Sequence, residues 1–315
     1  MPNHALKEKI MNAKRVAIFT HVHPDGDALG SAYSFKLAMQ GLGKQADVFL
    51  TEECRTPAYS ILRGKEPDGL EISDCDLKVA LDCADAARLG EIGEYFKGNT
   101  VAIDHHVTHS QFAQCCMIVP NASATGEILY DVYRELDIKI TKDMAHNLYI
   151  AIVSDTGNFK YSCATARTHR IAANLIECGV DFAEITKVLF DTKSYEYFKL
   201  MQTALSKLEL HCGGKAALLS LTNKDFQAAG LEESEAEGIV TIPRTVQGVE
   251  VGIYMRERGN GEYKVSLRSN RYVDVAKIAE QLGGGGHVRA AGYSVFETDE
   301  QAVKATILAK LDKIV

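Results

Sequence analysis

Between residues 15 and 153 the chain alternates short apolar runs with longer stretches of helical periodicity, and this alternation restricts the fold more than any other feature. Arg15 to Thr20, Gln45 to Leu50, Leu77 to Asp82 and Thr100 to Asp104 are short and apolar and read as buried strands. Ala28 to Leu42, Ala122 to Leu136 and Lys142 to Val153 read as helices, and Thr165 to Cys178 as a further helix stopped by Gly179. Strands alternating with helices predict an α/β fold built on a doubly wound, mainly parallel sheet. Sheets of that kind collect ligands at the carboxyl ends of their strands.

The pattern changes further along. From Phe182 to about Glu209 it stays helical, with no glycine or proline, and its second half reads as a connector. Lys215 to Thr222, Val249 to Met255 and Glu262 to Arg268 then read as strands. The last two are joined by Arg258-Gly-Asn-Gly261, a strong hairpin signal. A helix over Val273 to Leu282 runs into Gly283-Gly-Gly-Gly-His287. The 315 residues therefore divide into a first domain over 1–191, a helical connector over 192–209 and a smaller α/β domain over 210–315.

With 46% hydrophobic and 24% charged residues the composition is that of a globular protein. The net charge of -7 argues against a protein that tracks long DNA or RNA on a broad basic stripe. A nucleotide ligand would instead be gripped locally, through metals or isolated basic groups. No window approaches the roughly 20 apolar residues of a membrane-spanning helix. The start, Met1-Pro-Asn-His-Ala-Leu-Lys-Glu-Lys, lacks the apolar core of a signal peptide, so a cytoplasmic chain is expected. The eight cysteines (54, 75, 83, 115, 116, 163, 178 and 212) form no Cys-x-x-Cys pair and read as reduced thiols filling core space.

The chemistry lies at the strand ends. His21-Val-His-Pro-Asp25-Gly-Asp27 follows the first strand, Asp82 ends the third, and Asp104-His105-His106 ends the fourth. Asp155 ends a helix and is followed by Thr-Gly-Asn. Singly, each has a plain structural explanation: a turn, an incidental pair, a helix cap. Jointly, they put acids and imidazoles at four edge positions that the topology gathers. Mixed carboxylate and imidazole ligands suit Mn²⁺, Fe²⁺ or Zn²⁺, whereas Mg²⁺ prefers oxygen alone. Asp25, Asp27, Asp82 and Asp155 could not all stay ionised together uncompensated. Two divalent ions balance them, and such a pair can clamp a phosphoryl group through an in-line displacement. In the second domain the exposed backbone of the glycine run, His287 and the strand-end Arg268 are candidates for holding a phosphate.

His21-x-His-Pro-Asp25-Gly-Asp27-Ala-Leu-Gly, Asp82, Asp104-His105-His106 and Ser154-Asp155-Thr-Gly-Asn resemble the four motifs of the DHH phosphoesterase superfamily. Val265-Ser-Leu-Arg-Ser269 and Gly283-Gly-Gly-Gly-His287-Val-Arg-Ala-Ala-Gly292 resemble its DHHA1 domain. The match runs from about residue 14 to 296, in order, and is similar above all to the nano-RNase (oligoribonuclease)/pAp phosphatase type. The resemblance implies two divalent ions, usually Mn²⁺. His21 and Asp25 would hold the first and Asp27 and His105 the second. Asp82 and Asp155 would complete the cluster, with Asp82 bridging. His106 would act beside the scissile phosphate as acid or electrostatic stabiliser, with Asp104 orienting a histidine. Arg268, Ser269, Gly284, Gly285, Gly286 and His287 would hold the substrate's far end, with the active site in the cleft between the domains. The activity implied is hydrolysis of very short oligoribonucleotides to mononucleotides and dephosphorylation of 3′-phosphoadenosine 5′-phosphate (pAp). The alternatives are a pApA-specific phosphodiesterase of cyclic-di-AMP turnover, a RecJ-like single-strand exonuclease and a nucleotide sensor that does not cut. The partners expected are short RNA or small nucleotides, with no stable long nucleic-acid complex and no membrane; a homodimer is compatible with this.

Overall fold

The computed structural model describes residues 4–51, 57–236, 238–297 and 299–312. It divides into two compact units, residues 1–192 and 193–315. In the first unit, helix α1 (His4–Asn12) precedes strand β1 (Arg15–Phe19), helix α2 (Gly26–Gly41), strand β2 (Gln45–Phe49) and the short helix α3 (Pro57–Ile61). Strands β3 (Leu77–Leu81), β4 (Thr100–Asp104) and β5 (Cys115–Ile118) follow, then helices α4 (Thr125–Glu135), α5 (Lys142–Asp155), α6 (Ala166–Glu177) and α7 (Phe182–Thr186). All five strands pair in parallel in the order β2-β1-β3-β4-β5. The order reverses between β1 and β3, which is where a doubly wound sheet opens a crevice beyond its carboxyl edge.

Alternation along the strands sends side chains to two cores. Val16, Ile18, Val79, Leu81, Val101 and Ile103 pack with apolar residues of α1, α2, α4, α5 and α6. Ala17, Phe19, Ala80 and Ala102 face the other way, toward Leu89, Phe96 and Phe112 from 3-10 turns and loops. Helices α2 and α5 press closely together because two glycines permit it. A Cβ on Gly30 would lie 2.5 Å from the Asn147 carbonyl oxygen and 2.8 Å from the Ala151 nitrogen. A Cβ on Gly26 would lie 1.9 Å from Ser154 Oγ.

The second unit holds helix α8 (Tyr195–Ser206), strands β6 (Glu209–His211) and β7 (Ala216–Leu221), and helix α9 (Asn223–Ala229). Strands β8 (Val251–Gly259) and β9 (Glu262–Ser269), helix α10 (Val275–Glu280), strands β10 (Gly285–His287) and β11 (Ala290–Phe296), and helix α11 (Glu300–Leu311) complete it. Its sheet runs β10-β11-β9-β8-β7-β6, antiparallel except for the β7–β8 pair. The expected hairpin joins β8 to β9, with Gly259, Asn260 and Gly261 all at positive φ. Residues α10 and α11 contribute pack on one face of this sheet. Tyr197, Leu200 and Ala204 of α8 pack on the other face with Leu219, Leu221 and Phe226, so the stretch read as a connector is part of the second unit's core. The continuous helical pattern from Phe182 is broken at Thr192, whose backbone is extended, and the Ser194 hydroxyl accepts the Tyr197 N–H at 3.0 Å and starts α8 as a new helix.

Among the described residues, no helix is long and apolar enough to cross a membrane. Seven cysteines are free thiols. Cys75, Cys83 and Cys115 are buried and Cys116, Cys178 and Cys212 are half-buried, but Cys163 is exposed, contrary to the expectation of core packing. Cys163 lies in the turns after α5, where its Sγ is 3.6 Å from the Asp155 carbonyl oxygen. Cys54 falls outside the described residues.

Candidate metal centre

The loop after β1 carries His21, buried at 6% exposure. Asp25 caps α2, and its Oδ1 accepts the N–H groups of Asp27 and Ala28 at 3.0 Å each. Its Oδ2 stays 4.0 Å from His21 Nε2. Asp27, in the first turn of α2, is fully buried. It accepts the Thr125 and Gly126 N–H groups at the start of α4, at 2.6 and 3.0 Å, and the Ser31 hydroxyl at 3.0 Å. Asp82 follows β3 with φ of 56°, a left-handed conformation that is uncommon for a non-glycine residue. Its Oδ1 accepts the Thr125 hydroxyl at 3.0 Å and its Oδ2 lies 3.9 Å from His21 Nε2.

Beyond β4 the two histidines take different partners. His106 Nδ1 is 2.7 Å from Asp104 Oδ1, which also accepts the His105 backbone N–H at 2.8 Å. His105 turns Nδ1 toward the Ala122 carbonyl oxygen at 3.3 Å. That orientation presents Nε2 to Asp155 Oδ2 at 3.1 Å, Asp82 Oδ1 at 3.5 Å and Asp27 Oδ2 at 3.8 Å. The four edge positions marked by the sequence therefore meet at the β1/β3 switch point.

The electrostatics show how tightly charge is packed. Burial, then the neighbouring carboxylates of Asp82 and Asp155, push Asp27 well above the ordinary carboxylate range. Burial, Asp25 and Asp155 push Asp82 up in the same way. Burial pulls His105 down, but Asp155, Asp27 and Asp82 outweigh it and raise its pKa. The hydrogen bond to Asp104 raises His106. Burial alone would raise Asp104, but the bond from His106 and the two backbone N–H groups hold it low. Among the described residues the buried Asp104 Oδ2 atom has no hydrogen-bond partner.

Three groupings bring one candidate ligand atom per residue within 4.8 Å of each other: His21–Asp25–Asp82, Asp27–His105–Asp155 and Asp82–Asp104–His105–His106. Carboxylates that resist ionising together, mixed with imidazoles and no thiolate, form a donor set that fits divalent ions of the Mn²⁺, Fe²⁺ or Zn²⁺ kind.

In the second unit the predicted residues separate. Register pairs His287 with Ala290 and Ala290 with Arg268, so the exposed His287 and half-buried Arg268 share one row on one sheet face, about 10 Å apart at two strand spacings. Ser269 points the other way, buried. Its hydroxyl lies 3.4 Å from the Val288 carbonyl oxygen and 3.4 Å from Arg289 Nη1, which ties down the β10–β11 turn. Gly284 and Gly286 are required by backbone approach, since a Cβ would lie 2.2 Å from the Gly292 oxygen or 2.6 Å from the Ala290 oxygen. A Cβ on Gly285 would meet nothing within 4 Å. The end of the glycine run, Gly285 and Gly286, enters edge strand β10 with His287, and Gly283 and Gly284 precede it.

Thr125 and Gly126 contact the acidic cluster and were missed in the sequence. Two of their three bonds come from backbone N–H groups, which leave no residue signature.

A parallel sheet of this order, with buried aspartates and histidines at its switch point, defines a protein of the DHH family. The chain belongs to it: residues 15–152 match the DHH family N-terminal domain and residues 214–315 match the DHHA1 domain. The bifunctional oligoribonuclease and PAP phosphatase NrnA of Thermus thermophilus is 35% identical over 306 residues, covering 95% of this chain and 90% of that one. A probable bifunctional oligoribonuclease and PAP phosphatase NrnA of Streptococcus mutans is 30% identical, covering 93% and 94%. The crystal structure of an exopolyphosphatase-related protein from Bacteroides fragilis is similar with a TM-score of 0.89 at 25% identity, covering 98% of this chain and 95% of that one.

Proposed function

We propose that this protein is a metal-dependent phosphoesterase that cuts very short oligoribonucleotides to mononucleotides and removes the 3′-phosphate of pAp, using two divalent ions, most suitably Mn²⁺. The observation that carries this reading is the pair of groupings His21–Asp25–Asp82 and Asp27–His105–Asp155, with Asp82 Oδ1 only 3.5 Å from His105 Nε2. In this reading His21 and Asp25 would hold one ion and Asp27, His105 and Asp155 the other, with Asp82 available to both. When bound, the ions offset the carboxylate charge, activate water and stabilise the charge that gathers on phosphoryl oxygens.

The protein's own groups do the rest. Asp104 fixes His106 through Nδ1 and favours its protonated form, so Nε2–H is the donor offered to a phosphoryl or leaving oxygen. The α4 N-terminus holds Asp27 in place through two N–H groups. Arg268 and His287 hold the far end of the substrate from one row of the second sheet. The names of the relatives support this choice of substrates.

Product analysis with Mn²⁺ tests it, using pAp, pApA, a five-nucleotide RNA, a long single-stranded DNA and pyrophosphate, with Asp82→Ala as control. Conversion of the pentamer and pAp, lost in the control, is the expected result. Activity on pApA alone reassigns the protein to second-messenger turnover, and cleavage of the long DNA alone reassigns it to the RecJ type. No cleavage of any substrate leaves a nucleotide sensor.

A further inference from the structure

A second polar site lies within the second unit, on the face of β8 and β9 that also carries Arg268. A cavity of about 340 Å³ is lined there by Tyr254, Arg256, Lys264, Ser266, Arg268 and Glu233, among others. Arg256 is only 6% exposed, yet its Nε and Nη1 atoms have no hydrogen-bond partner among the described residues. Its guanidinium carbon sits 4.0 Å from the centroid of the Phe226 ring, and this stacking fixes the plane of the group. Buried N–H groups are nearly always paired in folded proteins, so a fixed, buried guanidinium with two unpaired nitrogens calls for an acceptor from outside the chain. Glu233 does not supply it. Its Oε2 is 3.7 Å from Arg256 Nε, beyond hydrogen-bond length, and its Oε1 is bonded to Arg258 at 2.8 Å.

Cross-strand register places the other groups. Arg256 pairs with Lys264, and Tyr254 with Ser266. Three cations and one carboxylate line the cavity, leaving two positive charges in excess. That excess matches a terminal phosphate, which carries nearly two negative charges and three acceptor oxygens, better than an internal phosphodiester with one charge.

We propose that this cavity binds a dianionic phosphoryl group, carried by a nucleotide terminus or free as inorganic phosphate. It deepens the functional reading above and rests on it only for the nucleotide source. Arg256 supplies N–H donors held in a fixed orientation, Lys264 the mobile charge, and Ser266 a hydroxyl.

The test is equilibrium binding to the full chain in EDTA, which keeps phosphate from being recruited by metal. The probes are 5′-AMP, inorganic phosphate and adenosine. The expected result is that 5′-AMP binds, adenosine does not, and Lys264→Met or Arg256→Met weakens binding by about tenfold or more. Lys264 is exposed, so Lys264→Met and Ser266→Ala carry the test if the buried Arg256→Met variant does not fold. Inorganic phosphate binding as tightly as 5′-AMP assigns the cavity to free phosphate, and weaker binding assigns it to a nucleotide terminus; both support the anion site. Equal binding of 5′-AMP and adenosine, absence of binding, or variants that bind like the parent overturn it. Lys264-dependent 5′-AMP binding in a protein that cleaves no oligoribonucleotide would sustain the cavity and remove the hydrolytic reading alone.

Discussion

Thr125 is the sharpest probe of how the proposed metal centre is organised, because its hydroxyl touches a candidate ligand and its side chain has a near-isostere without that hydroxyl. The Thr125→Val substitution keeps the β-branched shape and the backbone N–H that holds Asp27 at 2.6 Å. It deletes only the 3.0 Å bond to Asp82 Oδ1. Asp82 is 2% exposed, so water cannot replace the donor. A hydrogen bond to a charged group contributes about 1.5–3 kcal/mol, which is roughly 10- to 100-fold in an equilibrium that depends on the ionised carboxylate. Groups that orient metal ligands show losses of similar size, about 10- to 100-fold. The expected outcome is Mn²⁺ affinity reduced by about that factor in titration calorimetry. Stabilisation by saturating Mn²⁺ should fall by about 1.4–2.7 kcal/mol in thermal unfolding. Thr125→Ser, which keeps the hydroxyl, should recover most of the loss. Parent-like Mn²⁺ affinity in the valine variant, or equal losses in valine and serine variants, would refute the idea that this hydroxyl poises Asp82.

Three further expectations follow from packing and charge. Gly30→Ala drives a Cβ to 2.5 Å from a backbone oxygen of α5, and overpacking of this kind costs about 1–3 kcal/mol, so the melting temperature should fall by roughly 2–10 °C; an unchanged melt would show that α2 and α5 separate freely. Asp47 is raised by burial, but the N–H groups of Leu70 at 2.9 Å and Asp68 at 2.7 Å and the Lys36 ammonium at 3.1 Å outweigh that and lower its pKa. Its contribution is therefore fully present above the unfolded-state carboxylate value of about 3.9 and is lost as pH falls through the lower folded value; urea midpoints should drop below about pH 4, and less steeply in Asp47→Asn. Arg268→Ala should mainly raise KM for an oligoribonucleotide, whereas Asp82→Ala removes turnover; parallel effects on KM and kcat in the two variants would contradict that division.

The parallel sheet was legible because β1, β3 and β4 are buried on both faces over most of their length and read as nearly continuous apolar runs, Lys78 in β3 apart. Helix α2 was legible by its length more than by its periodicity, since 13 of its residues are buried and no polar face remains. Other elements escaped for specific reasons. Strand β5 has only four residues. Strand β11 alternates in burial, but a glycine stands at its third position and a glycine run precedes it, which weakens the strand signal. The break at Thr192 to Ser194 carries no glycine or proline to mark it, and the Ser194 hydroxyl cap is its one signal in the sequence.

The same distinction runs through the site. Ionisable side chains at strand ends can be read from a sequence because the topology alone brings them together. The groups that fix their geometry cannot. Asp27 has no exposure and faces two other carboxylates, so its position must be held by donors that do not depend on a counter-charge. The N-terminus of α4 provides them as two backbone N–H groups, oriented by the helix and carrying its partial positive charge. A Cβ on Gly126 would come within 2.6 Å of the Ala151 Cβ, so the glycine lets that helix end approach α5 closely enough to present both groups. A third constraint is the left-handed backbone at Asp82, which turns the chain sharply at the end of β3. Strain of this kind persists only where surrounding structure enforces it, here the Asp82 N–H bonded to the Ile103 oxygen at 3.1 Å and the side chain bonded to Thr125. The carboxylates are thus preorganised by backbone, and replacing an acid alters the charge of the cluster while leaving in place the framework that positions the others.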